Sequence, residues 1–209
     1  MIVNRSGEIV ITETNELVRQ DFIVSRRQKE ELNGVKSFVL WLTGLSGAGK
    51  TTIAKELEEK LYERKLRTII LDGDNTRMGI NSDLDFSAQG RRENIRRVAE
   101  ISKLMNDAGV IVIASFISPY AADRWMARNI IGKENFLEVF VDAPLKVCIE
   151  RDTKGLYQKA LTGELNQFTG IDSPYEAPVY PALHIETAKQ SKEASVLTIL
   201  QSLINDNRI

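Results

Sequence analysis

The run Gly44, Leu45, Ser46, Gly47, Ala48, Gly49, Lys50, Thr51 fits the phosphate-binding loop pattern G-x-x-x-x-G-K-[ST]. That pattern works between a strand and a helix, and both are expected here. The apolar run Phe38, Val39, Leu40, Trp41, Leu42 reads as a buried strand, and a helical pattern leads out from Thr52 to Arg64. Glycines let the loop turn its N–H groups inward as a cup for anions. The following helix adds the positive end of its dipole. Lys50 would then reach the β- and γ-phosphates, and the Thr51 hydroxyl would serve Mg²⁺. Thr52 completes the loop as the next backbone donor. In a chain of 209 residues, a chance match at ordinary composition is on the order of 1 in 100. A nucleoside-triphosphate site is therefore expected.

The remainder of the chain alternates strand and helix. Strands are expected over 37–42, 67–71, 110–114, 136–141 and 183–185, and helices over 51–64, 87–108, 120–131, 144–151 and 191–205. Continuous apolar strands separated by helices imply an α/β fold, a P-loop NTPase-type parallel β-sheet covered by helices on both faces. Ligands then bind at the carboxyl ends of the strands. Residues 1–34 read as an N-terminal arm, with a possible short strand at 9–12 and a charged helix from Arg26 to Leu32 that stops near Asn33-Gly34. The kinase-like domain spans 35–209. Its segment 152–180 reads as long and irregular, which is uncommon in a compact domain unless functional.

Composition excludes several classes. The net charge of −1 argues against a general nucleic-acid binder. A single cysteine, Cys148, permits no internal disulfide and suits a reducing, cytoplasmic setting. With His184 as the single histidine, histidine-rich metal sites are excluded. Neither a secretory leader nor a membrane-spanning run is expected. No Lys-x-Asp occurs in the chain, so the guanine-reading motif of regulatory GTPases is missing. What remains is a small-molecule kinase. Such an enzyme needs a lid to keep water from the γ-phosphate, and 152–180 is the candidate.

Asp72 and Asp74 flank Gly73 at the end of a strand, facing the phosphate loop. Phosphoryl transfer needs one carboxylate to orient Mg²⁺ and another group to accept the hydroxyl proton. The alternative is an Asp-Gly turn in which an aspartate caps a helix. Arg77 and Arg91 suit an anionic substrate, whereas Arg96 and Arg97 read as a solvated helix face. Phe86 and Phe168 could each stack on a base, although a phenylalanine taken singly is more often a core residue. Cys148 and His184 are assigned to packing or surface.

Longer stretches also resemble the adenylyl-sulfate kinase family. They are Leu71 to Arg77, Phe86-Ser87, Arg91 to Arg97, Phe116 to Tyr120, Arg151 to Tyr157 and Phe168 to Glu176, in one collinear order over about residues 26–205. The resemblance implies ATP-dependent phosphorylation of adenosine 5′-phosphosulfate at its ribose 3′-hydroxyl. It implies Asp74 as the base or hydroxyl-orienting carboxylate and Asp72 beside Mg²⁺. Arg77, Arg91 and Asn94 match contacts to the phosphosulfate, Ile117 and Ser118 match backbone and hydroxyl contacts, and Phe86 and Phe168 match a pair that sandwiches the adenine. Lys154 falls in the matching lid. Ser118 carries the family's phosphoserine label, although direct in-line transfer needs no covalent step. The resemblance also implies a homodimer.

Two positions depart from the family pattern. Met78 stands where a histidine or aromatic residue is usual, and Thr153 where proline is usual, which relaxes the lid hinge. Two rivals stay open: a kinase of the same fold with another nucleotide-like acceptor, and a non-enzymatic nucleotide-binding module.

Overall fold

The computed structural model describes residues 2–3, 9–10, 20 and 22–209. Two short strands, β1 (Ile2–Val3) and β2 (Ile9–Val10), pair antiparallel. The expected strand at 9–12 is thus seen over Ile9–Val10, and 11–12 lie outside the described residues. Helix α1 (Arg26–Asn33) opens on a Ser25–Gln28 capping box and closes at Gly34 in the left-handed conformation. It packs on the body through Lys29, which donates to the Asp107 carbonyl at 3.1 Å, and Asn33, which donates to the Gly109 carbonyl at 2.9 Å.

The body is built in the order β3 (Val39–Thr43), α2 (Lys50–Glu63), β4 (Thr68–Asp72), α3 (Gly73–Met78), α4 (Ala88–Asp107), β5 (Ile111–Ser115) and α5 (Ala121–Ile131). Then follow β6 (Phe136–Asp142), α6 (Leu145–Arg151), α7 (Leu156–Leu161), β7 (Leu183–Glu186) and α8 (Lys192–Asn205). Strands β3 to β7 form a parallel sheet in the order β4-β5-β3-β6-β7. Alternate side chains of β3 supply two cores. Leu40 and Leu42 meet Ile53 and Leu57 of α2 and Ile199 of α8. Val39 and Trp41 meet Val98 of α4 and Ala127 of α5. Because both faces are covered, the strands are apolar throughout rather than alternating.

The helix-capping aspartate weighed for the Asp72–Asp74 stretch is seen: α3 begins at Gly73, and the Asp72 side chain caps it by accepting from the Asp74 N–H. One expectation is corrected: the segment 152–180 is not wholly irregular. Helix α7 occupies part of it, nucleated where both Asp152 carboxylate oxygens accept from the Tyr157 and Gln158 N–H groups. The strand ends at Thr43, Asp72 and Ser115 converge on one edge, with Ser115 beside both Asp72 and Leu42 in register.

Candidate active site

At that edge lies a cleft of about 800 Å³. Its floor is the phosphate loop. Gly44 has φ +152°, and a Cβ there would fall 2.2 Å from the Val141 carbonyl oxygen, so the loop can start only on glycine. Ser46, Gly47, Gly49, Lys50, Thr51 and Thr52 line the cleft. Leu45 and Ala48 do not; they pack with the hydrophobic core beneath. The Lys50 ammonium donates to the Gly44 and Leu45 carbonyls at 2.9 and 2.7 Å. Burial pushes its pKa down to about 8.

Thr51 and Asp72 meet directly: the Thr51 hydroxyl donates to Asp72 Oδ2 at 2.8 Å, and the Ser115 hydroxyl lies 3.3 Å from Thr51 Oγ1. Asp72 thus caps α3 with one oxygen and holds Thr51 with the other. The helix-capping reading of this aspartate is realised. Among the described residues no cluster of three or more acidic, histidine or cysteine side chains is set to hold a metal. The hydroxyl–carboxylate pair fits Mg²⁺ nonetheless, because that ion takes one or two protein oxygens and fills its octahedron with phosphate and water. Asp74 is exposed on the first turn of α3 and ion-paired with Lys154 from the lid.

Across the cleft stand two guanidiniums that rest on neutral oxygens rather than carboxylates. Arg77 donates to the Leu84 and Asp85 carbonyls at 3.0 and 3.1 Å. Arg91 donates to the Phe86 carbonyl at 2.8 Å, to Thr169 Oγ1 at 3.0 Å and to the Gln167 carbonyl. Burial lowers the pKa of both, and for Arg77 the neighbouring Arg91 charge lowers it further. Cations held this way keep their charge for an anionic ligand. Arg96 and Arg97 instead pair with Glu93, and Arg97 with Asp83.

Phe86 and Phe168 line the same cleft. Phe86 is 56% exposed, with the Arg77 guanidinium 4.3 Å above its ring. Phe168 is 7% exposed and meets Tyr157 edge-on at 4.9 Å. Asn94 is buried beside them and accepts from Asn81 Nδ2 at 3.0 Å. Ile117 and Ser118 reach the cleft from the turn after β5. Ser118 is 2% exposed. Its hydroxyl accepts from Trp41 Nε1 at 3.1 Å and donates to Thr43 Oγ1 at 2.9 Å, so it turns into the core, toward an indole and a hydroxyl that cannot act as bases.

Several side chains that shape the site were given no role from the sequence, although Arg151 and Tyr157 fall in a stretch that resembles the family. Arg151, at the end of α6, donates to Thr187 Oγ1 at 3.0 Å and to its carbonyl at 2.8 Å, while the Thr187 hydroxyl donates to the Ala48 carbonyl at 2.8 Å. The Tyr157 hydroxyl donates to the Ser46 carbonyl at 2.9 Å. The phosphate loop is thereby braced from the residue after β7 and from α7. These residues lie more than a hundred positions from the loop, and no local spacing marks such a contact. Cys148 is buried, and His184 pairs with Asp142 at 2.9 Å and stacks on Phe140.

Comparison with known proteins extends the geometry over most of the chain. The family profile described as "Adenylylsulphate kinase" matches residues 36–186. An adenylyl-sulfate kinase of Phocaeicola vulgatus is 56% identical over 184 residues, covering 88% of this chain and 90% of the relative. One of Clostridium acetobutylicum is 51% identical over 187 residues, covering 90% and 93%. Among solved structures, the Mycobacterium tuberculosis APS kinase CysC in complex with AMPPNP and APS superposes with a TM-score of 0.78 at 42% identity, covering 81% of this chain and 98% of that one.

Proposed function

This chain belongs to the adenylylsulphate kinase family and phosphorylates adenosine 5′-phosphosulfate with ATP to give 3′-phosphoadenosine 5′-phosphosulfate; on that premise we propose how its residues divide the work. One observation carries the division. A single cleft has the phosphate loop on one side and, on the other, two guanidiniums free of carboxylates beside two phenylalanines. That is a two-nucleotide site.

ATP binds with its phosphates on the N–H groups of residues 44–52, and Lys50 swings from the Gly44 and Leu45 carbonyls onto the β- and γ-phosphates. Thr51 and Asp72 would hold Mg²⁺. When bound, that ion neutralises the charge that builds on the phosphate oxygens. Arg77 and Arg91 bind the phosphosulfate, with Asn94 and the Ile117 and Ser118 backbone beside them. Phe86 and Phe168 hold the adenine between their faces. Asp74 accepts the proton of the ribose 3′-hydroxyl as the hydroxyl oxygen attacks the γ-phosphorus in line, and the bond from that phosphorus to the β,γ-bridging oxygen breaks to release ADP. Its partner Lys154 is then released toward the phosphates, and the lid excludes water.

No covalent enzyme intermediate is needed, and the inward-facing Ser118 hydroxyl supports direct transfer. The body 35–209 is read as the kinase domain with 1–34 as an arm, the assembly as a homodimer and the setting as cytoplasmic. No described helix is long and apolar enough to cross a membrane. The test is a coupled ADP-release assay with adenylyl sulfate against a panel of other nucleotides and nucleosides. Adenylyl sulfate is expected to stimulate ADP release above every other acceptor. A panel member that outruns it would transfer the assignment to that acceptor. Light scattering at twice the chain mass is expected for the dimer.

A further inference from the structure

The Arg124 side chain on α5 is 4% exposed and spends its donors on three separate segments. Nε donates to Glu138 Oε1 on β6 at 2.8 Å, one terminal nitrogen to the Ser118 carbonyl at 2.8 Å and the other to the Glu176 carbonyl at 2.7 Å. A second link runs beside it. The Ser118 hydroxyl donates to Thr43 Oγ1, and the Thr43 hydroxyl donates to the Ile117 carbonyl at 2.8 Å and lies 3.0 Å from the Tyr175 hydroxyl. With the Thr43 proton committed to Ile117, the Tyr175 hydroxyl is the donor in that contact. Burial pushes the Tyr175 pKa up to about 12, which keeps that proton in place.

The end of the lid is fastened further by the Glu176 N–H on the Pro119 carbonyl at 2.8 Å and by Glu176 Oε2 on the Ala121 N–H at 2.7 Å. Ser118 is held at φ +39°, a left-handed backbone that serine keeps only when its surroundings impose it. Neither Arg124 nor Tyr175 lines the cleft. Both act through the backbone they hold.

We infer that Arg124 is a positioning residue for the reaction: with the Ser118–Thr43–Tyr175 relay it clamps the end of the lid to the Ile117–Ser118 turn, so that lid and acceptor turn are aligned as one body. This rests on the assignment of Ile117, Ser118 and Phe168 to the acceptor half of the site. The Ser118 hydroxyl becomes a structural link in the clamp, which accounts for its orientation.

Arg124→Lys keeps the charge but cannot span three acceptors with one compact ammonium. In the ligand-free variant, backbone amides of 168–176 are expected to exchange with solvent about tenfold faster. KM for adenylyl sulfate is expected to rise about tenfold while KM for ATP stays within about twofold. Unchanged exchange in a variant that still melts cooperatively overturns the clamp. Faster exchange with an unchanged adenylyl-sulfate KM overturns the positioning role. Phe168→Ala, measured in parallel, reports on the acceptor assignment alone: if it too leaves that KM unchanged, the assignment fails while the exchange readout still decides the clamp. Should Arg124→Lys lose its cooperative melt, Tyr175→Phe carries the same test. It removes one hydroxyl, and the same changes in exchange and KM are expected in smaller measure; no change in either overturns the inference.

Discussion

Lys50 is buried, and its pKa is lowered from 10.5 to about 8 because the charged form has lost water. The unfolded chain therefore holds this proton more tightly than the folded one. Between about pH 8 and 10.5 the residue contributes stability that rises with pH, and below about pH 8 its charged burial is a constant cost. Triphosphate restores a counter-charge, so ATP binding at pH 8 should take up about half a proton at this site. Calorimetry in buffers of different ionisation enthalpy measures that uptake, and a buffer-independent enthalpy at pH 8 would remove Lys50 from phosphate contact. Asp74→Asn keeps the shape of α3 and removes the proton acceptor. Turnover should fall on the order of 100-fold with ATP binding little changed, and an unaltered kcat would take Asp74 out of the chemistry. Residue types and spacings announced these groups, because phosphate and proton chemistry restricts which side chains can serve. The partners of Ser118 were not announced, since Trp41 and Thr43 approach it only through the parallel packing of β3 beside β5.

At the scale of elements, α4 shows how a helix start controls the acceptor side. Ser87 caps it by accepting from the Gly90 N–H at 3.0 Å, and Asp85 Oδ1 accepts from the Ser87 N–H and hydroxyl. A Cβ on Gly90 would fall 2.2 Å from Asp85 Oδ1 and 2.6 Å from the Asp85 carbonyl oxygen. That carbonyl also receives Arg77, and Phe86 follows it directly. Gly90→Ala should therefore displace Phe86 and Arg77 together and raise KM for adenylyl sulfate on the order of tenfold, with KM for ATP nearly constant; steady-state kinetics with each substrate varied would show the split, and equal effects on both would rule out the mechanism. Apolar periodicity made α4 and the strands legible to within a residue or two. It missed α3 because Gly73 reads as a breaker while the Asp72 cap that overrides it also reads as a catalytic acid. It missed α7 because the Asp152 cap sits in a segment whose glycines and prolines suggest loop.

The described body is a sheet with α1 docked at one end and the cleft at the other. Helix α1 satisfies carbonyls at the end of α4, and the Glu30 carboxylate accepts from the Ser37 N–H at 2.9 Å. Burial raises the Glu30 pKa, and the hydrogen bonds from Ser37 and Arg26 with the Arg26 charge together more than offset it, leaving the carboxyl below its ordinary value. A chain beginning at Val35 should still fold and bind ATP, since both apolar cores lie beyond that point. Loss of several net bonds of about 1 kcal/mol each should lower its melting temperature on the order of 10 °C. A circular-dichroism melt and an ATP titration check this, and a truncated chain without a cooperative transition would make the arm part of the domain.

By itself the sequence determined the phosphate loop and the parallel α/β order, which follow from short-range rules: a glycine where no Cβ fits and an apolar period. The arginine and phenylalanine positions were assigned through resemblance to a family, and their roles are proposals. Only the tertiary structure decided how Arg151, Thr187 and Tyr157 brace the loop, why Ser118 faces inward, and how Arg124 joins the Ser118 and Glu176 carbonyls. Those contacts form between segments far apart in the chain, where geometry depends on how the sheet and its helices pack and leaves no local pattern to read.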